Sequence, residues 1–334
     1  MLLSVIIPSY NHEQFILSTI KAAVNIDIQN KEIIVIDDGS SDASIRVIRD
    51  YIADKDASYN IKFVARENRG LVKTLNEGLS IAKGKYLYLV ASDDIPIPEG
   101  IVSLVNILET DRGLQFVMGN ALVMYSEQQR EFTPTYGENH RRFFALPWDK
   151  RHKEMFLNYP QPILLQATVF KTSTLNAIGG WREDIVVDDF SLFLRMFSRF
   201  HDVGQDFGFH PEIMACFYRQ HQTNSFRNIE RQFMMVEQAL TQLCPAEWRD
   251  EAIFRNFRIH GVGALREGRL LLASQFLLST VTRIGLARSM PISAVEFCKA
   301  LIAKLSKNHA KKFESLVIHE PAAATISHSR KAPE

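Results

Sequence analysis

The chain is poor in cysteine, with Cys216, Cys244 and Cys298 scattered through 334 residues. That spacing fits neither a disulfide framework nor a zinc site, and it suits a reducing cytoplasm. Long hydrophobic runs are missing too. Residues 270–282 carry no charge, but a membrane span takes about 20 apolar residues. Arg269 and Arg283 bracket the run, so a buried helix is expected there. The apolar start "MLLSVIIP" is too short for a signal peptide and has no basic lead-in. An excess of one charge is also absent: 39 Lys and Arg face 38 Asp and Glu, a net charge of +1. No global field argues for nucleic acid. No Gly-x-Gly-x-x-Gly follows the first apolar run, which disfavours a dinucleotide dehydrogenase. No Gly-Lys-Ser/Thr loop supports a P-loop enzyme, and no serine nucleophile elbow is present.

Hydrophobic residues make up 46% and charged residues 23%, the balance of a soluble globular protein. The length allows one large domain and a smaller one. Apolar strands and amphipathic helices alternate at the start. "LLSVIIPSYN", "KEIIVIDDGSSD", "IKFVAR" and "KYLYLVA" read as four buried strands. Between them, Ile16, Ile20 and Ala23, then Ile45, Ile48 and Ile52, then Leu71, Leu75, Leu79 and Ala82 recur at helical spacing. This pattern predicts an α/β domain, a mostly parallel sheet with helices on both faces. Residues 126–160 read as irregular, with a functional loop as the reason for so long an excursion. Order resumes with "LLQATVFK". From about Asn228 the pattern is helical only, with a hairpin turning near Gly268. The segment "ISAVEFCKALIAKLSKNHAKKF" places Val295, Cys298, Ile302 and Leu305 on one side, and the last stretch reads as a disordered tail. The expected division is 1–226 for the α/β domain, 227–316 for a helical region and 317–334 for the tail.

Ligands of such sheets bind beyond the carboxyl ends of the strands. Polar clusters stand there in series: Ser9-Tyr10-Asn11, Asp37-Asp38, Arg66-Glu67-Asn68 and Ser92-Asp93-Asp94. Asp93 and Asp94 are two like charges delivered to one point by a buried strand. A divalent cation resolves the repulsion, and carboxylates without a neighbouring cysteine suit Mg²⁺ or Mn²⁺. A turn with one acid as helix cap is the blander alternative. Asp37 can accept from a base or ribose, Tyr10 offers a flat face, and Arg66 can meet a phosphate. Asp38 and Asp42 are read as turn and cap chemistry. A second acidic pair, Asp188-Asp189, opens an amphipathic helix in which Phe190, Phe193, Leu194 and Phe197 pack. It is either dipole capping or a general base. His221 follows a strand-like run and can complete a metal shell.

In order along the chain, "SVIIPSYN", "KEIIVIDDGSSD", "ENRGLVKTLNEGL", "GKYLYLVASDD", "GGWREDIVVDDFSLFLRM" and "YRQHQTNS" resemble the family 2 glycosyltransferases of the GT-A fold, of the bacterial polysaccharide and lipopolysaccharide type. The resemblance covers residues 2–225. It implies a nucleotide-sugar donor, with UDP as first guess, a divalent metal and inversion at the sugar carbon. It also implies a saccharide or lipid-linked saccharide acceptor. Donor contacts then fall on Pro8, Ser9, Tyr10, Asn11, Asp37, Arg66, Asn68, Gly70, Lys73, Ser92 and Asp93. Metal contacts fall on Asp93, Asp94 and His221. The general base falls on Asp189, with Gly180, Trp181 and Asp188 as support on the acceptor side. The family's Asp-x-Asp-Asp metal motif reads Ala91-Ser92-Asp93-Asp94 here, so its first acid is missing. The Gln-x-x-Arg-Trp signature of processive synthases is absent, which implies a non-processive enzyme. For the C-terminal helices three uses stay open: shaping the acceptor site, forming a homo-oligomer, or resting on an anionic membrane face through Lys299, Lys304, Lys307, Lys311 and Lys312. Two rival readings remain at this point. One is a non-catalytic nucleotide-sugar-binding protein of the same fold. The other is a sugar nucleotidyltransferase, which would need a glycine-rich basic loop where "PSYNHEQF" stands.

Overall fold

The computed structural model describes residues 1–54, 60–125, 131–222, 224 and 227–285. The first half follows the alternation of the sequence. In chain order it runs β1 (Leu3–Ser9), α1 (Ile16–Val24), β2 (Lys31–Asp38), α2 (Ser44–Ala53), β3 (Ile61–Arg66), α3 (Leu71–Ile81) and β4 (Tyr86–Leu89). These four strands are parallel, in the spatial order β3-β2-β1-β4. Leu3, Val5 and Ile7 of β1 join Ile33, Val35, Tyr86 and Tyr88 in one core, sealed by Ile16 and Ile20 of α1 and Ile48 of α2. Ile6 points the other way, against Gly78 of α3. Burial on both faces is why these strands are continuously apolar rather than alternating. The apolar stripe of α3 begins at Val72, not Leu71, which is 43% exposed.

The second half departs from a parallel arrangement. It contains β5 (Ile95–Pro96), α4 (Pro98–Thr110), β6 (Phe116–Tyr125), β7 (Thr133–Pro134), α5 (Glu138–Ala145), α6 (Trp148–Leu157), a 3₁₀ turn (Leu165–Ala167), β8 (Thr168–Lys171), α7 (Thr172–Ala177), α8 (Asp189–Arg199) and β9 (Phe207–Gln220). Strand β8 runs antiparallel to both β4 and β6, β9 runs parallel to β6, and β5 and β7 pair antiparallel with β9 and β6. The result is one mixed sheet. Residues 133–157, expected to be irregular, hold two short helices. Phe143, Phe144, Met155 and Phe156 bury one face of each, but a helix of 8–10 residues leaves little periodicity to read.

Strand β9 is drawn tightly against α4. A Cβ on Gly100 would lie 1.9 Å from the Met214 carbonyl oxygen, a backbone atom that cannot swing away. Gly100→Ala is therefore expected to cost at least ~3 kcal/mol, the upper end for overpacking, and denaturant unfolding would read it. An unchanged midpoint would mean that α4 can slide on the strand.

The chain divides into two compact units, Met1–Ile253 and Phe254–Glu334. The first extends beyond the expected boundary at 226 and includes α9 (Ile229–Leu243), which packs on α8. In the second, α10 (Ala246–Arg266), which begins before the division, leads through Gly268 to α11 (Leu270–Ile284). Gly268 takes φ +83°, so the hairpin turns where expected. No helix among the described residues is long and apolar enough to cross a membrane. The lysine-bearing segment, Val295, Cys298, Ile302, Leu305 and the tail lie outside the described residues.

Candidate active site

The loops after β1 and β2 are tied together. Asn11, the one non-glycine residue at positive φ among the described residues (53°), accepts from the Ser41 amide at 2.8 Å and donates its own amide to Ser40 Oγ at 2.8 Å. Asp42 accepts from the Glu13 amide at 3.0 Å and the Ser44 amide at 2.9 Å, as turn and helix-start chemistry requires. Asp37 is fully buried and accepts from Ser9 Oγ, Ser40 N and Ser40 Oγ at 2.7–3.0 Å. Pro8 and Ser9 thus stand in the strand end that buttresses Asp37, while Tyr10 is 49% exposed beside them.

Arg66 is not a free cation. It donates to Asp38, Glu77, the Glu67 carbonyl and Thr74. Asp38 in turn accepts from the amides of Arg69 at 2.7 Å and Gly70 at 2.9 Å. This network builds the turn before α3, where Gly70 takes φ +89°. Asn68 and Lys73 are exposed around it. A Cβ on Gly39 would lie 2.6 Å from the Asn68 amide nitrogen, so the two loops touch backbone to backbone. Arg66 therefore braces the turn before α3, its guanidinium committed to these four partners.

The two adjacent carboxylates after β4 point to different partners. Asp93 Oδ2 meets His221 Nε2 at 2.9 Å and lies 4.0 Å from His12 Nε2. His12 Nδ1 is 2.7 Å from Ser92 Oγ. Asp94 turns inward, accepting from Gln166 Nε2 at 2.9 Å and the Arg219 amide at 2.8 Å. The electrostatics follow. Burial works to raise Asp93, but the hydrogen bond from His221 and the charge of His12 outweigh it and its pKa is lowered. Burial, then the charge of Asp93, pushes Asp94 well up. The two carboxyls are thus driven in opposite directions, Asp93 down and Asp94 up, which eases the repulsion that the sequence poses. One oxygen or nitrogen from each of His12, Asp93 and His221 lies within 4.8 Å of the others. Asp94, expected as a metal ligand, is not in that cluster, and His12, unexpected, is. Asn224 adds a contact from its amide to His221 Nε2 at 3.0 Å, and Arg219 lays its guanidinium 4.8 Å over the Phe15 ring while donating Nε to the Asp93 carbonyl.

Asp188 and Asp189 stand at the start of α8. The helix is held by Phe197, 5.3 Å from Phe207 of β9, and by Phe193 and Phe190, both buried. Burial and then the neighbouring charge of Asp188 raise Asp189 to about 7; burial raises Asp188 as well. Gly180 and Trp181 are anchored on α3. Asn76 accepts from the Trp181 amide at 2.9 Å and donates to its carbonyl at 2.8 Å. Arg195 of α8 donates to the carbonyls of Gly180 and Ile178. From α9, Gln238 clamps the loop before the pair, donating to the Asp184 carbonyl at 2.8 Å and accepting from the Val186 amide at 3.2 Å. The phenol of Tyr218 on β9 is pushed up by burial and then by the charges of Asp94, Asp189 and Asp93. A single side chain thus lies within the field of both acidic pairs.

The profile of Glycosyl transferase family 2 matches residues 4–174 of this chain, a little over half of it. The chain belongs to glycosyltransferase family 2. Curated relatives of the chain include an uncharacterized glycosyltransferase of Haemophilus influenzae, 36% identical over 129 residues, 38% of this chain and 39% of that protein. A poly-beta-1,6-N-acetyl-D-glucosamine synthase of Staphylococcus epidermidis is 24% identical over 191 residues, 57% of this chain and 44% of the relative. The chain therefore spans less than half the length of these relatives. Among solved structures, S. aureus TarS 1-349 in complex with UDP-GlcNAc aligns with TM-score 0.60 at 15% identity, over 85% of this chain and 80% of that one. The mannosyltransferase PcManGT from Pyrobaculum calidifontis, in complex with GDP-Man and Mn²⁺, aligns with TM-score 0.53 at 17% identity, over 90% of this chain and 80% of that one. The fold of this family 2 member is the GT-A fold that the resemblance implies, with helices following it.

Proposed function

We propose that this glycosyltransferase is inverting and metal-dependent. It moves one sugar at a time from a nucleotide-sugar, a UDP-sugar first, to a hydroxyl of a saccharide or lipid-linked saccharide. The setting that fits is the cytoplasmic side of a bacterial membrane, in surface polysaccharide synthesis. The observation that carries the proposal is the cluster of His12, Asp93 and His221, in which one ligand atom from each of three distant stretches of chain lies within 4.8 Å of the others.

The donor set fits a divalent cation. Two imidazoles and one carboxylate from three separate segments converge, and mixed nitrogen and oxygen donors favour Mn²⁺ over Mg²⁺. His12 supplies a donor where the motif lacks its first acid at Ala91. A cation bound by His12, Asp93 and His221 supplies charge neutralisation for a departing diphosphate. The side chains do the rest. Pro8, Ser9, Tyr10, Asn11 and Asp37 form the nucleotide end, with Asn68, Gly70 and Lys73 along its rim. Arg219, held by Phe15 and the Asp93 carbonyl, brings a fixed cation to the diphosphate in the role first expected of Arg66. Asp189, with a pKa about 7, removes the proton from the acceptor hydroxyl. That oxygen bonds to the anomeric carbon as the carbon–phosphate oxygen bond breaks on the opposite face, so the sugar inverts and no covalent enzyme intermediate forms.

Thermal unfolding with UDP or GDP, each with Mn²⁺ or EDTA, tests the donor side. UDP with Mn²⁺ is expected to raise Tm by several degrees at saturating concentration, and EDTA to remove most of the rise. A larger shift with GDP would replace the base assignment. No shift with either nucleotide would leave the fold without the donor.

A further inference from the structure

The segment between β6 and β8 encloses a cavity of about 750 Å³, outside every residue assigned above. We propose that it is the acceptor subsite and that it takes an uncharged oligosaccharide end. The inference rests on the transferase reading given above and names the class of its second substrate.

Placement comes first. Tyr159 lines the cavity, and its ring stands edge-on to Phe190 at 4.8 Å between centroids. Phe190 directly follows Asp189, and the charge of Asp189 acts on the Tyr159 phenol. The cavity wall and the base therefore share one aromatic contact. The Tyr159 hydroxyl is buried and has no hydrogen-bond partner among the described residues, a cost the fold bears unless a ligand supplies the partner.

The lining comes second. Glu138 and Arg142 of α5, Glu154 and Asn158 of α6, and Gln161 surround the space. Carboxylates accept, a guanidinium donates and carboxamides do both, so the set can meet hydroxyls, which are donors and acceptors at once. Among the described residues the side chains of Glu138 and Arg142 have no ionic or hydrogen-bonded partner, although they stand four apart on one helix. His140, also in the lining, is kept neutral by burial. Two acids against one arginine leave the cavity with a net negative charge, which disfavours an anionic glycan. The volume lies within the range of about 300–1,000 Å³ that small-molecule sites occupy, more room than one sugar ring needs.

A printed array of neutral glycans and of glycans bearing uronic or sialic acids, probed with the labelled full chain, tests this. Binding is expected on neutral spots and weak or absent on acidic ones. Glu154→Gln and Asn158→Ala are each expected to lower the neutral signal at least tenfold while keeping the UDP and Mn²⁺ thermal shift. Tyr159→Phe, which keeps the packing, is expected to lower it less. Asp93→Asn should do the reverse, losing the nucleotide shift and keeping the glycan signal, so that donor and acceptor readings fail separately. A preference for acidic glycans, neutral binding untouched by the cavity variants, or no binding on any spot would each overturn the proposal.

Discussion

Asp189→Asn is expected to lower sugar transfer by about 10³-fold while leaving nucleotide binding within twofold of wild type. A general base contributes roughly 10²–10⁴-fold, and an amide of the same shape cannot take the proton. The hydrogen bond from the Phe190 amide to Asp189 Oδ1, 2.6 Å, can be kept by the Asn oxygen, so the helix start survives. The pH dependence carries the same signature. Asp189 ionises at about 7, so the transfer rate should fall tenfold for each pH unit below that value. Stability moves the opposite way. The folded pKa lies above the ordinary 3.8, so this group's contribution is intact below about pH 4 and is lost as pH rises to about 7. Asp189→Asn should therefore be more stable than wild type at pH 8, by no more than ~4 kcal/mol, the full equivalent of a rise from 3.8 to about 7 at about 1.4 kcal/mol per pKa unit. Transfer by Asp189→Asn at the wild-type rate would remove the base assignment. A pH profile flat from 5 to 8 would remove the raised pKa.

The second large effect is at Asp93. Asp93→Asn is expected to abolish the Mn²⁺-dependent part of nucleotide binding and to reduce transfer at least 10²-fold. The asparagine has one weak ligand oxygen where the carboxylate has two charged ones. His12→Ala should show a smaller loss in the same measurement, roughly 10–100-fold in metal affinity, because two of three donors remain. The informative outcome is the order. If His12→Ala left Mn²⁺ affinity unchanged while Asp94→Asn abolished it, the metal would sit on the adjacent carboxylate pair and not on the cluster observed.

Much of the first half of the fold is legible in the sequence, because its strands are buried on both faces and its helices carry clear stripes. The second half is less so. Strand β9 pairs with β6 and with the two-residue β5 at once, and nothing local announces which neighbours a strand will have. Asp37, Asp93, Asp189 and His221 could be picked out because each ends an apolar run or begins an apolar helix. His12 could not, since one imidazole in a polar loop carries no periodic signal until Ser92 and Asp93 are brought to it. The internal commitment of Arg66 was equally hidden, because Asp38 and Glu77 lie 28 and 11 residues away. The cavity lined by α5 and α6 had no motif, and its two helices were too short to show a period.

The cluster at His12, Asp93 and His221 draws on the first and the last strands of the sheet. As the chain emerges from the ribosome, the early parallel strands can pair soon after they appear, but the site cannot exist until residue 221 has cleared the exit tunnel. A nascent chain stalled before that point would already hold the early parallel strands but only two of the three side chains of the cluster, His12 and Asp93, and would still lack the third.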